Sequence, residues 1–239
     1  MDSWHYEPTE DFDRDPVERL RAFPRHPDLL IYGARGLANL VTRAILRTWN
    51  RLTIVGREHL PATGSFVMVA NHASHLDAPT LLAALPLGMI HRAFPAAASV
   101  YFFTSLPRLA FSAVVVNAMP FDRKESPRES LALCRRLLET PGHVLILFPE
   151  GTRTPDGNLG PFKPGIGFLL AGTGFPIVPC YLDGAYRAWR KGWWLPRPRK
   201  LRLHIGQPLR FPDTKPSRED ALAITAALRE AVVALAPPR

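Results

Sequence analysis

Phe66-Val67-Met68-Val69-Ala70-Asn71-His72-Ala73-Ser74-His75-Leu76-Asp77-Ala78-Pro79 reads as three pieces in succession. Five apolar residues without a polar interruption suit a strand covered on both faces. A polar turn follows. Asp77 then opens a helix over Asp77–Leu85, with Pro79 tolerated in its first turn. Strand, turn and helix in immediate sequence make one half of a βα unit. Val144-Leu145-Ile146-Leu147-Phe148 repeats the buried-strand signature before a second polar turn.

Working outward, the alternation continues on both sides. Leu52–Val55, His91–Ala97, Val114–Phe121, Ile177–Leu182 and Leu201–Ile205 read as further strands. Leu106–Ser112, Arg128–Thr140, Gly165–Thr173 and Ser217–Leu235 read as helices. Alternation on this scale predicts an α/β layered fold with a largely parallel central sheet flanked by helices. Residues 29–50 form an additional N-terminal amphipathic helix, with Leu29, Leu30, Leu37, Leu40, Val41, Ile45 and Leu46 at helical spacing. Arg43, Arg47 and Arg51 recur every fourth residue beside that stripe, which suggests contact with a membrane interface. Residues 1–28 are an acidic, proline-punctuated tail, and residues 51–239 hold the main domain.

Composition excludes several classes. With 46% hydrophobic and 21% charged residues in 239, the chain has the apolar content for a full core. Cys134 and Cys180 are too few for a disulfide framework or a thiolate zinc site, and both sit among apolar neighbours as buried, reduced thiols would. The acidic N-terminus lacks the apolar core of a secretory signal. The longest charge-free stretch, Pro164–Leu182, is broken by Gly and Pro and does not read as a membrane span. These features predict a protein that is cytosolic or peripheral on the cytoplasmic face of a membrane.

The formal net charge is +9, and the first 28 residues are net acidic, so the rest of the chain is more basic still. Such a body favours anionic partners. Arg187, Arg190, Lys191, Arg197, Arg199, Lys200 and Arg202 fall within Tyr186–Arg202, interleaved with Trp189, Trp193 and Trp194 and without one acid. Tryptophan prefers the headgroup zone, and basic residues are drawn to anionic lipid. Contact with an anionic membrane surface is therefore expected through Arg43, Arg47, Trp189, Trp193 and Trp194. Nucleic-acid binding would fit the same composition, but no recognised binding module accompanies it.

Two motifs carry candidate chemistry. In Asn71-His72-Ala73-Ser74-His75-Leu76-Asp77, the carboxylate at a helix N-terminus lies within reach of the imidazole five residues earlier. An ionised Asp on one ring nitrogen fixes the tautomer and leaves the other as a proton acceptor. His72, His75 and Asp77 are also ligand-type residues, but the spacing is not that of a zinc helix and no metal is expected. In Phe148-Pro149-Glu150-Gly151-Thr152-Arg153-Thr154, Gly151 admits close approach, Thr152 offers a hydroxyl and Arg153 a phosphate fork. In parallel sheets ligands sit at the carboxyl ends of strands, so both motifs are expected on one rim. Asn117–Lys124 and Lys163 place further cations after strands. There is no G-x-S-x-G of a serine hydrolase and no complete dinucleotide fingerprint.

Taken together, Asn71-His72-x-Ser74-x-x-Asp77, Asp122-Arg123, Phe148-Pro149-Glu150-Gly151-Thr152-Arg153 and Ile177-Val178-Pro179 resemble, in order and spacing, the glycerolipid acyltransferase superfamily. The nearest likeness is to bacterial 1-acylglycerol-3-phosphate acyltransferases, over residues 50–210. The resemblance implies His72 and Asp77 as catalytic residues, with Asn71 and Ser74 supporting them. It implies acceptor-phosphate contacts by Arg123, Glu150, Gly151, Thr152, Arg153 and Lys163. The second block, which usually opens with Gly, opens here with Asn117. The implied reaction moves a fatty acyl group from an acyl-CoA or acyl-carrier-protein thioester to a lysophospholipid hydroxyl, most simply that of 1-acylglycerol 3-phosphate. Glycerol 3-phosphate and lyso-aminolipids are alternative acceptors, and a non-catalytic basic membrane or nucleic-acid binder is the alternative class. Thioesters are already activated, so a base suffices and no cofactor is needed. Oxyanion donors are sought among backbone N–H groups near Asn71–Ser74 and Gly151.

Overall fold

The computed structural model describes residues 29–98, 111–121 and 127–237. The acidic segment 1–28, Arg123 and most of the helix expected over Leu106–Ser112 lie outside the described residues. The described elements run α1 (Leu29–Thr48), β1 (Thr53–Val55), β2 (Phe66–Ala70), α2 (Asp77–Ala84), β3 (Ala93–Ala98), β4 (Met119–Phe121), α3 (Pro127–Glu139), β5 (Val144–Leu147), α4 (Gly165–Leu170), β6 (Thr173–Asp183), α5 (Ala185–Trp189), β7 (Arg202–Ile205), β8 (Leu209–Phe211) and α6 (Arg218–Ala234).

The sheet has the order β1-β7-β6-β2-β5-β3-β4, with β8 added on β6. β2 lies parallel between β5 and β6, with Val69 opposite both Leu147 and Pro179. Among the described residues, only the β6–β7 and β6–β8 pairings are antiparallel. This is the largely parallel sheet the alternation implies. All five residues of β2 are fully buried, as a strand covered on both faces must be. Their side chains alternate between two cores. Phe66, Met68 and Ala70 join Leu46, Leu81, Leu85 and Ala185 on one face. Val67 and Val69 join Leu137, Leu170, Ile224 and Leu228 on the other. Helices α1, α2 and α5 thus cover one side, and α3, α4 and α6 the other. Gly167 lets the last two touch: a β-carbon there would lie 1.9 Å from the Ala221 carbonyl oxygen. Cys134 and Cys180 are unpaired and buried, and burial pushes the Cys134 thiol up to about 12.

Two readings need correction. The β-branched Val114–Val116 is not strand but the end of a π-helix, Phe111–Val116. Its carbonyls are claimed by other partners: Arg35 Nε donates to Val114 O, and Ala118 N donates to Ser112 O. Asn117 then turns the chain at φ 54°, and its Nδ2 donates to the carbonyls of His91 and Ala93. A left-handed position explains why glycine is usual in this block and why Asn, which tolerates that region, replaces it. The strand itself is confined to Met119–Phe121.

The second correction concerns α1, which is amphipathic with its polar side inward. Arg35, Asn39, Arg43 and Leu46 are buried, whereas Leu30, Leu37, Leu40, Val41 and Ile45 are exposed. Arg43, 8% exposed, donates from Nε to Asn39 Oδ1 and from Nη2 to the carbonyls of Leu82 and Leu85. It therefore closes the C-terminus of α2, a position that favours a cation, and it is not available to lipid. Because Arg35 and Arg43 face the domain, they do not interrupt the outward apolar face. The 20-residue helix is long and apolar enough to cross a membrane, a property that a search for charge-free runs misses.

Candidate active site

The ends of β2, β5 and β6 reach one rim, and both motifs stand on it. Asn71 extends the β2–β6 ladder with its side chain: Nδ2 donates to Leu182 O, and Leu182 N donates to Oδ1. The chain then loops through His72–Leu76 into α2. Three hydrogen bonds converge on one oxygen: Asp77 Oδ2 accepts from His72 Nδ1 at 2.8 Å, Ala73 N at 2.7 Å and Ser74 N at 2.8 Å. Asp77 is 1% exposed at its side chain and His72 24%. A fully buried carboxylate at a helix start is an acceptor, so Nδ1 carries the proton and Nε2 is left as a base. The imidazole lies flat against Phe148, with ring centroids 4.3 Å apart.

The second motif grips the first by its backbone. Glu150 Oε1 accepts from His72 N at 2.7 Å, and Oε2 accepts from Gly160 N at 2.9 Å. Thr154 N donates to His72 O at 2.8 Å. Both sides of the His72 peptide are thus held by residues 150–154. Burial pushes the Glu150 carboxyl above the usual carboxylate range, and the two N–H donors pull it back. Glu150, expected on the acceptor's phosphate, is placed on these two backbone N–H groups. It is buried and engaged at both oxygens. Gly151 occupies a left-handed turn at φ 75°, Thr152 is exposed, and Lys163 is exposed on the segment that returns to pair its N–H with Pro149 O.

Arg153 reaches the His72–Leu76 loop by a contact the sequence did not reveal. Its Nη1 donates to Nε2 of His75, whose ring also packs on Trp189 at 5.0 Å. His75 is therefore engaged by a guanidinium, which a cation bound at this nitrogen would have to displace. Ser74 Oγ donates to Trp189 O and accepts from Leu76 N, so Ser74 both shapes the loop and ties it to α5. The oxyanion expectation also needs revision. The N–H groups of His72, Ala73, Ser74 and Gly151 are all spent within the protein, the last on Phe148 O.

Burial, and then the Arg153 charge, lower the His75 pKa to about 4, and burial also lowers His91 and His143. An unfolded histidine titrates near about 6.5. Between those values the unfolded chain binds protons that the folded chain refuses, so stability falls as pH drops from 6.5 toward 4. Thermal unfolding midpoints are expected to decline through this window. His75→Gln, which keeps an acceptor for Arg153 but does not titrate, should decline less steeply. An unchanged slope would show that His75 is protonated in the folded state.

The membrane assignments divide. Trp189 is half-buried and donates from Nε1 to Trp193 O, and Trp193 is stacked under Arg190 and Arg197, whose guanidinium carbons lie 4.5 and 3.8 Å from its ring centre. Both rings are only partly exposed. Trp194, 87% exposed, Leu195 and Arg47 are presented outward.

The chain is similar to known proteins. Residues 51–183 match the family model described as Acyltransferase. The chain is 32% identical over 162 residues to a 1-acyl-sn-glycerol-3-phosphate acyltransferase of Limnanthes alba, covering 68% of this chain and 56% of that protein. It is 33% identical over 151 residues to the chloroplastic 1-acyl-sn-glycerol-3-phosphate acyltransferase BAT2 of Brassica napus, covering 62% and 42%. The crystal structure of the 1-acyl-sn-glycerophosphate acyltransferase PlsC from Thermotoga maritima superposes with a TM-score of 0.62 at 25% identity, over 83% of this chain and 79% of that one. The chain spans about half the length of the plant relatives it matches.

Proposed function

The chain belongs to the Acyltransferase family, and from that premise we propose that it transfers a fatty acyl group from a thioester, of CoA or acyl-carrier protein, to the free hydroxyl of 1-acylglycerol 3-phosphate, giving phosphatidic acid. One observation carries the reading: the His72–Asp77 pair at 2.8 Å shares its loop with His75, which holds Arg153. A base and a phosphate fork are thereby fixed to the same short segment. The likeness to 1-acylglycerol-3-phosphate acyltransferases supports the choice of acceptor.

In this reaction Nε2 of His72 takes the hydroxyl proton as the oxygen attacks the thioester carbonyl carbon. Asp77 stabilises the imidazolium that forms. The tetrahedral adduct collapses with cleavage of the C–S bond, and the imidazolium returns its proton to the thiolate. Arg153, with Arg123 and Lys163, holds the acceptor's phosphate and positions its hydroxyl. An acceptor panel with labelled acyl-CoA, read by mass spectrometry, tests the substrate. 1-Acylglycerol 3-phosphate should win, and Arg153→Ala should raise its KM about 10-fold or more with little change for the donor. A phosphate-free lysolipid or glycerol 3-phosphate winning the panel would overturn the reading.

We further propose that the protein works as a peripheral protein on the cytoplasmic face of a membrane, with α1 lying in the interface. One side of α1 is packed on the domain through Arg35, Asn39, Arg43 and Leu46, so the outward face Leu30–Leu37–Val41–Ile45 is the part that meets lipid. Trp194 and Leu195 form a second apolar tip. Flotation with anionic vesicles should recover the wild type, and Leu37→Glu/Val41→Glu should remain unbound. Equal recovery of both would show that α1 is not the contact.

A further inference from the structure

β6 ends at Asp183 and turns through Gly184, at φ 83°, into α5. A β-carbon on Gly184 would lie 2.1 Å from Lys200 O, so the turn and the segment leading into β7 meet backbone to backbone. Beside that contact is an open-sided recess of about 280 Å³, lined by Asp183, Gly184, Arg187, Arg199, Lys200 and Arg202. Four of these six are cations and one is an acid, which Arg187 approaches at 3.9 Å.

The backbone that displays the cations is built into the fold. Asn50, 1% exposed, donates from Nδ2 to the carbonyls of Arg197 and Arg199, and Leu201 N donates to Asn50 O. Arg202 is fixed opposite Asp183 in the β6–β7 ladder. The fold thus fixes where these cations are rooted, and the single carboxylate leaves them under-neutralised. A second recess of about 320 Å³ shares Asp183, Gly184 and Arg187 with the first. It continues to Asn71 and Ala73, the residues on either side of His72. The two recesses share that wall, so a polyanion seated among the cations lies beside a recess that reaches the loop carrying His72.

We propose that the basic recess binds the phosphate-bearing nucleotide of a coenzyme A thioester, with the pantetheine arm following the second recess toward His72. The proposal rests on the acyl-transfer reading, for which it names the donor. A small concave site suits a compact polyanion with several phosphates. The carboxylates of a carrier protein are spread over a convex face and would meet a flat surface better.

The test uses the full chain and free coenzyme A, titrated calorimetrically at low salt. Arg199→Glu/Lys200→Glu should weaken binding about 10-fold or more, and Arg187→Ala, on the opposite wall, by a smaller factor. Arg135→Glu/Arg136→Glu carries the same change in net charge on α3, at the far side of the sheet, and should bind as the wild type does. Pantetheine, which lacks the nucleotide, should bind weakly to all of them. In turnover, the wild type should prefer the CoA thioester to the pantetheine thioester, and the ratio of their kcat/KM values should approach one in Arg199→Glu/Lys200→Glu. Unchanged CoA affinity in that variant overturns the proposal. So does an equal loss in the α3 control, or a loss confined to anionic vesicles or to a carrier-protein thioester. Charge-dependent CoA binding without transfer to 1-acylglycerol 3-phosphate would uphold the recess and sink the reading of the reaction. Transfer from a pantetheine thioester without CoA binding would do the reverse.

Discussion

His72→Ala is expected to lower kcat/KM for acyl transfer by roughly 10²–10⁴-fold, the usual contribution of a positioned general base, while the fold survives. The ring is partly exposed and stacks on Phe148, whereas the loop is held by backbone bonds from Glu150 and Thr154 that an alanine retains. Asp77→Asn is the sharper probe. Asp77 Oδ2 accepts from one imidazole and two backbone N–H groups. An amide offers one oxygen and one donor. If its oxygen takes the place of Oδ2, all three bonds are kept but the negative charge that stabilises the imidazolium is lost. If the amide is turned over, its NH₂ faces His72 Nδ1 and both backbone N–H groups, and the ring must carry its proton on Nε2, the nitrogen meant to accept. Activity should fall on the order of 10²-fold or more by either route. Steady-state kinetics on variants with wild-type circular dichroism decide the matter. His72→Ala at near wild-type rate would remove the imidazole from the mechanism.

What could be read from the sequence, and what could not, follows from the range of the interactions involved. β2, β5 and the start of α2 are coded by contiguous residues, and their apolar runs and turn chemistry are visible in a window of a dozen. The His72–Asp77 contact is nearly as local, its partners five positions apart. The clamp of Glu150 on His72 N spans 78 residues, and the Asn71–Leu182 bonds span 111. Such pairings follow from sheet order, which a hydrophobic pattern does not state. Val114–Val116 misled for the complementary reason, since tertiary contacts with α1 overrode β-branched propensity. α1 misled in its polarity. Spacing locates an apolar and a basic face, but Arg43 turns inward, where the carbonyls at the end of α2 need donors, while Arg47 stays exposed. The tryptophans near residue 190 show the same limit. Composition marks all three alike, whereas stacking under Arg190 and Arg197 withdraws Trp193 and leaves Trp194 outside.

Glu150→Gln should separate positioning from phosphate binding. The wild-type carboxylate accepts one N–H at each oxygen, from His72 and from Gly160. The amide can accept only one of them and must turn its NH₂ toward the other donor, inside a site where Glu150 is buried. Leaving one buried N–H unsatisfied costs about 1–3 kcal/mol, which the loop can relieve only by shifting the His72 peptide. A displacement near 1 Å at a reacting group lowers rate about 10²-fold. The expected result is a kcat reduced by about 10–10²-fold with the KM for 1-acylglycerol 3-phosphate almost unmoved. Arg153→Ala should give the opposite split, a raised acceptor KM with a smaller loss in kcat. Thr154 N should still hold His72 O in Glu150→Gln, so the variant should fold and bind acceptor. A Glu150→Gln enzyme whose defect lies wholly in acceptor KM would mean that this carboxylate faces the ligand after all. The backbone clamp would then be incidental to catalysis.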